Sequence, residues 1–125
     1  MKHKTDVAQK LTQLLWLPKE ISQCEDQIRS LDAMQGRSDT DSNIIEERLT
    51  IIRARKANCE RLQVELERYI SNIDDSLTRQ IFVYRYAQGL NWVQIASKLG
   101  GGNTWGSVKK RCQRYIAKHS EEVNL

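Results

Sequence analysis

LNWVQIASKLGGGNTWGSVKKRCQRYI, residues 90–116, decides how this chain is read. Trp92, Ile95, Ala96 and Leu99 recur at i, i+3, i+4 and i+7, the signature of one buried helical face. Asn91 caps that helix and Gly100 ends it. Gly101 and Gly102 extend a turn, and Asn103 or Thr104 caps a second helix reaching about Lys118. At 100° per residue, Val108, Cys112 and Tyr115 form the inward stripe of that second helix. The opposite face gathers Gly106, Lys110, Gln113 and Ala117, flanked by Ser107, Lys109 and Arg114. Lys and Arg suit phosphates or guanine edges, Gln pairs with adenine, and small first-turn residues let backbone N–H groups approach a phosphate. A basic helix face is commonly only a solvated one, so its surroundings decide.

The surroundings are lopsided in charge. Residues 1–77 hold 12 basic and 14 acidic side chains. Residues 78–119 hold Arg79, Arg85, Lys98, Lys109, Lys110, Arg111, Arg114 and Lys118, and no acid. That asymmetry points to a polyanion as partner of the C-terminal part. Upstream, Leu77, Ile81, Phe82, Tyr84 and Tyr86 suit a buried helix over 75–87, capped by Asp74, Asp75 or Ser76 and stopped at Gly89.

The N-terminal part has a different period. Leu14, Leu17, Ile21, Cys24, Ile28 and Leu31 follow heptad spacings, interrupted at Pro18 by a kink or a helix restart. GRSDTDSN, residues 36–43, is a turn by composition. A second run from about Asn43 repeats Ile45, Ile52, Cys59, Leu66 and Ile73 every seven residues, joined by Leu49, Leu62, Tyr69 and Ile70. Lys56 and Gln63 break the companion seam, which an antiparallel pairing tolerates. The two runs form a helical hairpin that buries little alone. The expectation is a homo-oligomer, a dimer first, through Leu14, Leu17, Ile21, Ile28, Leu31, Ile45, Leu49, Ile52, Leu62 and Leu66. The alternative is an intramolecular three-helix bundle that includes residues 5–16.

With one Pro, six Gly and no run that alternates for long, the chain reads as all-α. The expected organisation is a hairpin or coiled-coil oligomerisation region over 1–72, a helix-turn-helix over 73–119 and a flexible tail over 120–125. No run of about 18 apolar residues is present and residues 1–10 lack a signal-peptide core, which implies a cytoplasmic protein. Cys24, Cys59 and Cys112 form no C-x-x-C pair and each falls in an apolar register, so they are expected to be buried free thiols rather than metal ligands. An enzyme is not expected. His3 and His119 stand alone, and GGNTWGS, residues 101–107, lacks the lysine and preceding strand of a phosphate loop. No cofactor or metal is implied.

IDDSLTRQIFVYRYAQGLNWVQIASKLG (73–100) followed by NTWGSVKKRCQRYI (103–116) resembles region 4 of sigma-70-type factors. It is closer still to small phage and prophage late-gene regulators with a sigma-region-4-like end. The resemblance covers roughly a third of the chain. It implies a DNA-binding transcription regulator of phage or prophage origin, in a bacterial cell, with double-stranded DNA and RNA polymerase as candidate partners. It places Thr104, Trp105 and Ser107 at the start of a recognition helix, and gives phosphate and base contacts to Lys109, Lys110, Arg111 and Arg114. Gly106 and Gln113 join that set from the face analysis above. This chain departs from region 4 in a turn about two residues longer, and nothing in it resembles the region that melts the −10 element. Two other functions share the architecture: the DNA-recognition small subunit of a phage terminase, and a coiled-coil adaptor that binds RNA polymerase or another protein. Trp105 has two readings, packing against Trp92 or Leu99 and stacking on DNA.

Overall fold

The computed structural model describes residues 4–37 and 41–120. Among them every regular element is helical: α1 (Lys4–Thr12), α2 (Leu17–Met34), α3 (Ser42–Ser71), α4 (Ser76–Phe82), a π-helical turn (Val83–Ala87), α5 (Trp92–Leu99) and α6 (Trp105–Lys118). The all-α reading therefore holds. Residues 38–40 of the expected turn, and 121–125 of the expected tail, lie outside the described residues. No described helix is long and apolar enough to cross a membrane.

The chain divides into two compact units, one of Trp16–Gln63 and one of Met1–Leu15 with Val64–Leu125. This differs from a single boundary at 72/73. The reason lies at Pro18, which has no N–H to donate and so sits where a helix begins. The chain turns over residues 13–16, with Leu14 N–H bonded to Leu11 O at 3.1 Å, and α2 restarts at Leu17 with Pro18 in its first turn. Leu14 thus leaves the hairpin seam and is buried in the larger unit, as is Leu66 near the end of α3.

The smaller unit is an antiparallel helix pair. Cys24 and Leu31 of α2 and Ile45, Leu49 and Ile52 of α3 form its core, with Ile28 and Met34 packed against them. Register is marked at the surface by Arg53–Asp32 (3.5 Å), Lys56–Glu25 (4.0 Å) and the Gln35–Glu46 hydrogen bond. These exposed pairs align the helices and add little stability. Leu17 and Cys59 are also buried, and Ile21 and Leu62 half-buried. Leu17, Leu31, Ile45, Leu49 and Ile52 are therefore occupied inside one chain, while Ile21, Ile28 and Leu62 keep part of their surface exposed.

The larger unit is built around Phe82, which is fully buried. Its ring centroid lies 6.2 Å from Tyr69, 5.6 Å from Tyr86 and 5.4 Å from Tyr115, edge-to-face with the last. α4, α5 and α1 each pack on α6, and Val7 and Leu11 of α1 are fully buried. Asp75 is the α4 cap: its carboxylate accepts from Thr78 N (2.9 Å) and from the buried Thr78 hydroxyl (2.6 Å). The helix expected over 75–87 widens into a π turn after Phe82, closed by Gln88 N–H to Val83 O at 3.1 Å.

The π turn brings the Tyr86 hydroxyl within 3.7 Å of Cys112 Sγ on α6. Burial pushes the Cys112 thiol from 9.0 up to about 11, against the opposing pull of the Tyr86 contact and Arg85. Burial raises the Tyr86 phenol as well. A raised thiol favours the folded state fully below its ordinary value and loses that advantage as pH climbs through about 11. Urea unfolding should therefore show a loss on the order of 2–3 kcal/mol between pH 8 and pH 11. Cys112→Ala should remove the part of that loss that falls below about pH 10, before the raised Tyr86 phenol begins to contribute. All three cysteines are free and buried, as their apolar registers imply.

Candidate nucleic-acid interface

Caps fix both helices of the 90–118 segment. Asn91 and Gln94 exchange hydrogen bonds at 2.8 and 2.9 Å across the first turn of α5. Thr104 and Ser107 do the same at 3.1 and 3.0 Å for α6. Between them Gly100, Gly101 and Gly102 all take positive φ, +62°, +61° and +81°, a path that a side chain would strain. Asn103 Nδ2 donates to Gly100 O at 2.7 Å and closes the turn. α5 packs directly on α6. The apolar stripe of α6 is Val108, Cys112 and Ile116, all buried, with Tyr115 half-buried beside it. Ile116 takes the central place expected of Tyr115.

Burying that stripe fixes what faces outward. Lys110, Gln113 and Arg114 are exposed, Ala117 and Gly106 half-buried. A groove of about 500 Å³ runs along α6 beside α4, lined by Ser107, Lys110, Arg111, Arg114, Lys118 and His119, with Asn103, Thr78 and Tyr115 completing it. Lys110, Arg114 and Lys118 have no ion-pair partner among the described residues. No described acidic side chain neutralises their charge. On the other flank, Lys109 and Gln113 line a shallower groove with Arg85, Trp92 and, from α1, Gln9 and Thr12.

Not every cation of the acid-free stretch is turned outward. Arg111, placed among the contact residues above, bonds Asp75 Oδ2 at 3.3 Å, where Asp75 already caps α4. The Thr78 hydroxyl first, then its amide and Arg111, hold that carboxyl below the usual range. Arg111 is therefore paired within the chain, across an exposed contact between the α6 flank and the α4 cap. Arg85 lies 4.4 Å over the Trp92 ring and donates to Leu90 O at 3.2 Å. Arg79 donates to Ile73 O at 2.5 Å. Trp105 is 57% exposed, so packing accounts for less than half of its surface.

Gly106 stands apart from the other glycines. It lies in the first turn of α6 without positive φ, and a Cβ added there would meet nothing nearer than Thr104 Oγ1 at 4.0 Å. Neither backbone conformation nor packing among the described residues requires a glycine at this position.

Sequence reasoning missed Asn103, Lys118 and His119 as groove residues. His119 stacks on Tyr115 with centroids 4.1 Å apart, an i, i+4 pairing visible in the sequence only once α6 is known to continue that far. Gln9 and Thr12 carried no signal, since nothing local says that α1 packs on α6. Comparison with family models, with curated proteins and with solved structures gives no match.

Proposed function

We propose that this chain binds double-stranded DNA by laying α6 in the major groove, and that it serves as a sequence-specific transcription regulator of the sigma-region-4-like kind. The observation that carries the reading is the outer face of α6. It offers Lys110 and Arg114 without ion-pair partners among the described residues, Gln113 as an amide beside them, and at Gly106 a bare stretch of backbone that no described contact requires. Lys and Arg neutralise phosphates, Gln113 reads a base edge, and Gly106 allows close approach of the backbone. The resemblance of residues 73–116 to region 4 supplies the regulatory role and the phage or prophage setting. RNA polymerase is the second partner that this resemblance suggests.

The test separates fold from contact. Gly106→Ala should leave the chain as stable or stabilise it, by up to about 1 kcal/mol, because Ala is the better helix former and has room. The same variant should weaken duplex binding several-fold in a fluorescence anisotropy titration at low salt. Unchanged affinity would remove α6's first turn from the interface. Absence of any duplex binding by the unaltered chain would remove the reading itself.

A further inference from the structure

α1 lies far from the helix-turn-helix in sequence, yet it packs on α6. Val7 and Leu11, both fully buried, hold it there. What it leaves exposed beside α6 is polar. Gln9 and Thr12 line a groove of about 380 Å³ together with Lys109 and Gln113 of α6 and with Arg85 and Trp92. Among the described residues no carboxylate lines this groove, and Lys109 makes no ion pair. Arg85 is held by the Trp92 ring and by Leu90 O, neither of which cancels its charge.

We propose that α1 is a second DNA-contacting element, and that the α1–α6 groove seats the phosphate backbone of one strand of the duplex that α6 enters. The assignment rests on the DNA-binding reading above and extends it, because residues 4–12 lie outside the 73–116 stretch that carries the resemblance. An α-helix is about 10–12 Å across and the major groove about 12 Å wide, so a helix laid in that groove has a phosphate backbone against each flank. α6 has two such flanks. With its buried stripe centred on Cys112, Lys110 and Arg114 stand at the crest. Ser107, Arg111 and Lys118 lie down one side, on the groove of about 500 Å³ beside α4. Lys109 lies down the other, on the groove shared with α1.

The first flank draws its cations from α6 alone. The second draws one from α6, and the rest of its lining comes from elsewhere in the unit. Two cations without a described carboxylate make this groove attractive to phosphate. Gln side chains are ordinary donors to phosphate oxygens. The Thr12 hydroxyl donates to Gln9 O at 2.5 Å, which leaves the Gln9 carboxamide as the donor that α1 brings. The DNA-binding unit so built begins at α1, and it agrees with the compact unit that joins residues 1–15 to 64–125.

A charge swap at Gln9 in the full chain tests this, read by fluorescence anisotropy with a labelled duplex. Gln9→Glu should weaken binding on the order of 10-fold, since it sets a carboxylate against the phosphates. Gln9→Lys should strengthen binding several-fold and steepen the slope of log affinity against log salt by about one. Gln27→Glu and Gln27→Lys make the same charge changes at an exposed site of the hairpin unit, and should stay within about twofold at moderate salt. Melting followed by circular dichroism should be unchanged at both exposed sites, and Gln9→Lys decides the matter should Gln9→Glu lose helix. Equal effects at Gln9 and Gln27 would overturn the proposal, because net charge alone would account for them. Gln9 variants that bind like the unaltered chain would take α1 out of the interface, while a loss on Lys110→Ala/Arg114→Ala would still uphold α6. No duplex binding by the unaltered chain would overturn both.

Discussion

Lys110→Ala/Arg114→Ala should lower affinity for duplex DNA by at least about 100-fold, since each charge-assisted contact contributes about 1.5–3 kcal/mol. Both side chains are exposed on α6, line the same groove and lack ion-pair partners among the described residues. Removing two phosphate contacts should also reduce the slope of log affinity against log salt by about two. Stability should change by less than about 0.5 kcal/mol, because neither residue is packed. Arg29→Ala/Arg53→Ala removes the same charge from the hairpin, where both arginines pair with aspartates, and should leave the slope nearly intact. Equal losses from the two double variants would mean that net charge, not the α6 face, governs binding.

Phe82→Ala should cost about 3–5 kcal/mol, the range for a large aromatic lost from a closed core. Phe82 is fully buried and touches three tyrosines drawn from α3, the π turn and α6. Its removal opens a cavity where those elements meet, and the flanking rings are too constrained to refill it. In a larger unit of this size the melting temperature should fall by more than about 12 °C. Trp105→Ala, at an exposed position, should move it little. A loss below about 1 kcal/mol at Phe82 would mean that the aromatic cluster does not organise the fold. Because α6 carries both the aromatic contact of Tyr115 and the outward cations, the same variant should lose DNA binding in proportion to the unfolded fraction.

Much of this was legible in the sequence, because helical periodicity and capping are local. The 3.6-residue period identified Val108 and Cys112 as inward and Lys110, Gln113 and Arg114 as outward. Asp75, Asn91 and Thr104 stand where short polar side chains satisfy free N–H groups, and all three do so. The heptad run identified Cys24, Leu31, Ile45, Leu49 and Ile52 as a seam. Periodicity says which face is buried but not against what. Leu14 and Leu66 continue the spacing of the hairpin, yet both are buried in the larger unit. The Arg111–Asp75 pair joins residues 36 apart and depends on how α4 meets α6, which no local pattern encodes. The π turn after Phe82 has no composition signal either: VYRYA is as fit for an α-helix.

The central claim is that α6 reads DNA sequence. Selection of bound duplexes from a random pool by the purified chain, followed by sequencing, tests it most directly. The account predicts an enriched motif that loses discrimination with Gln113→Ala while weak, salt-sensitive retention persists. Two half-sites in that motif would indicate that two chains bind together. Retention with no enriched motif, or no retention at low salt, would contradict it.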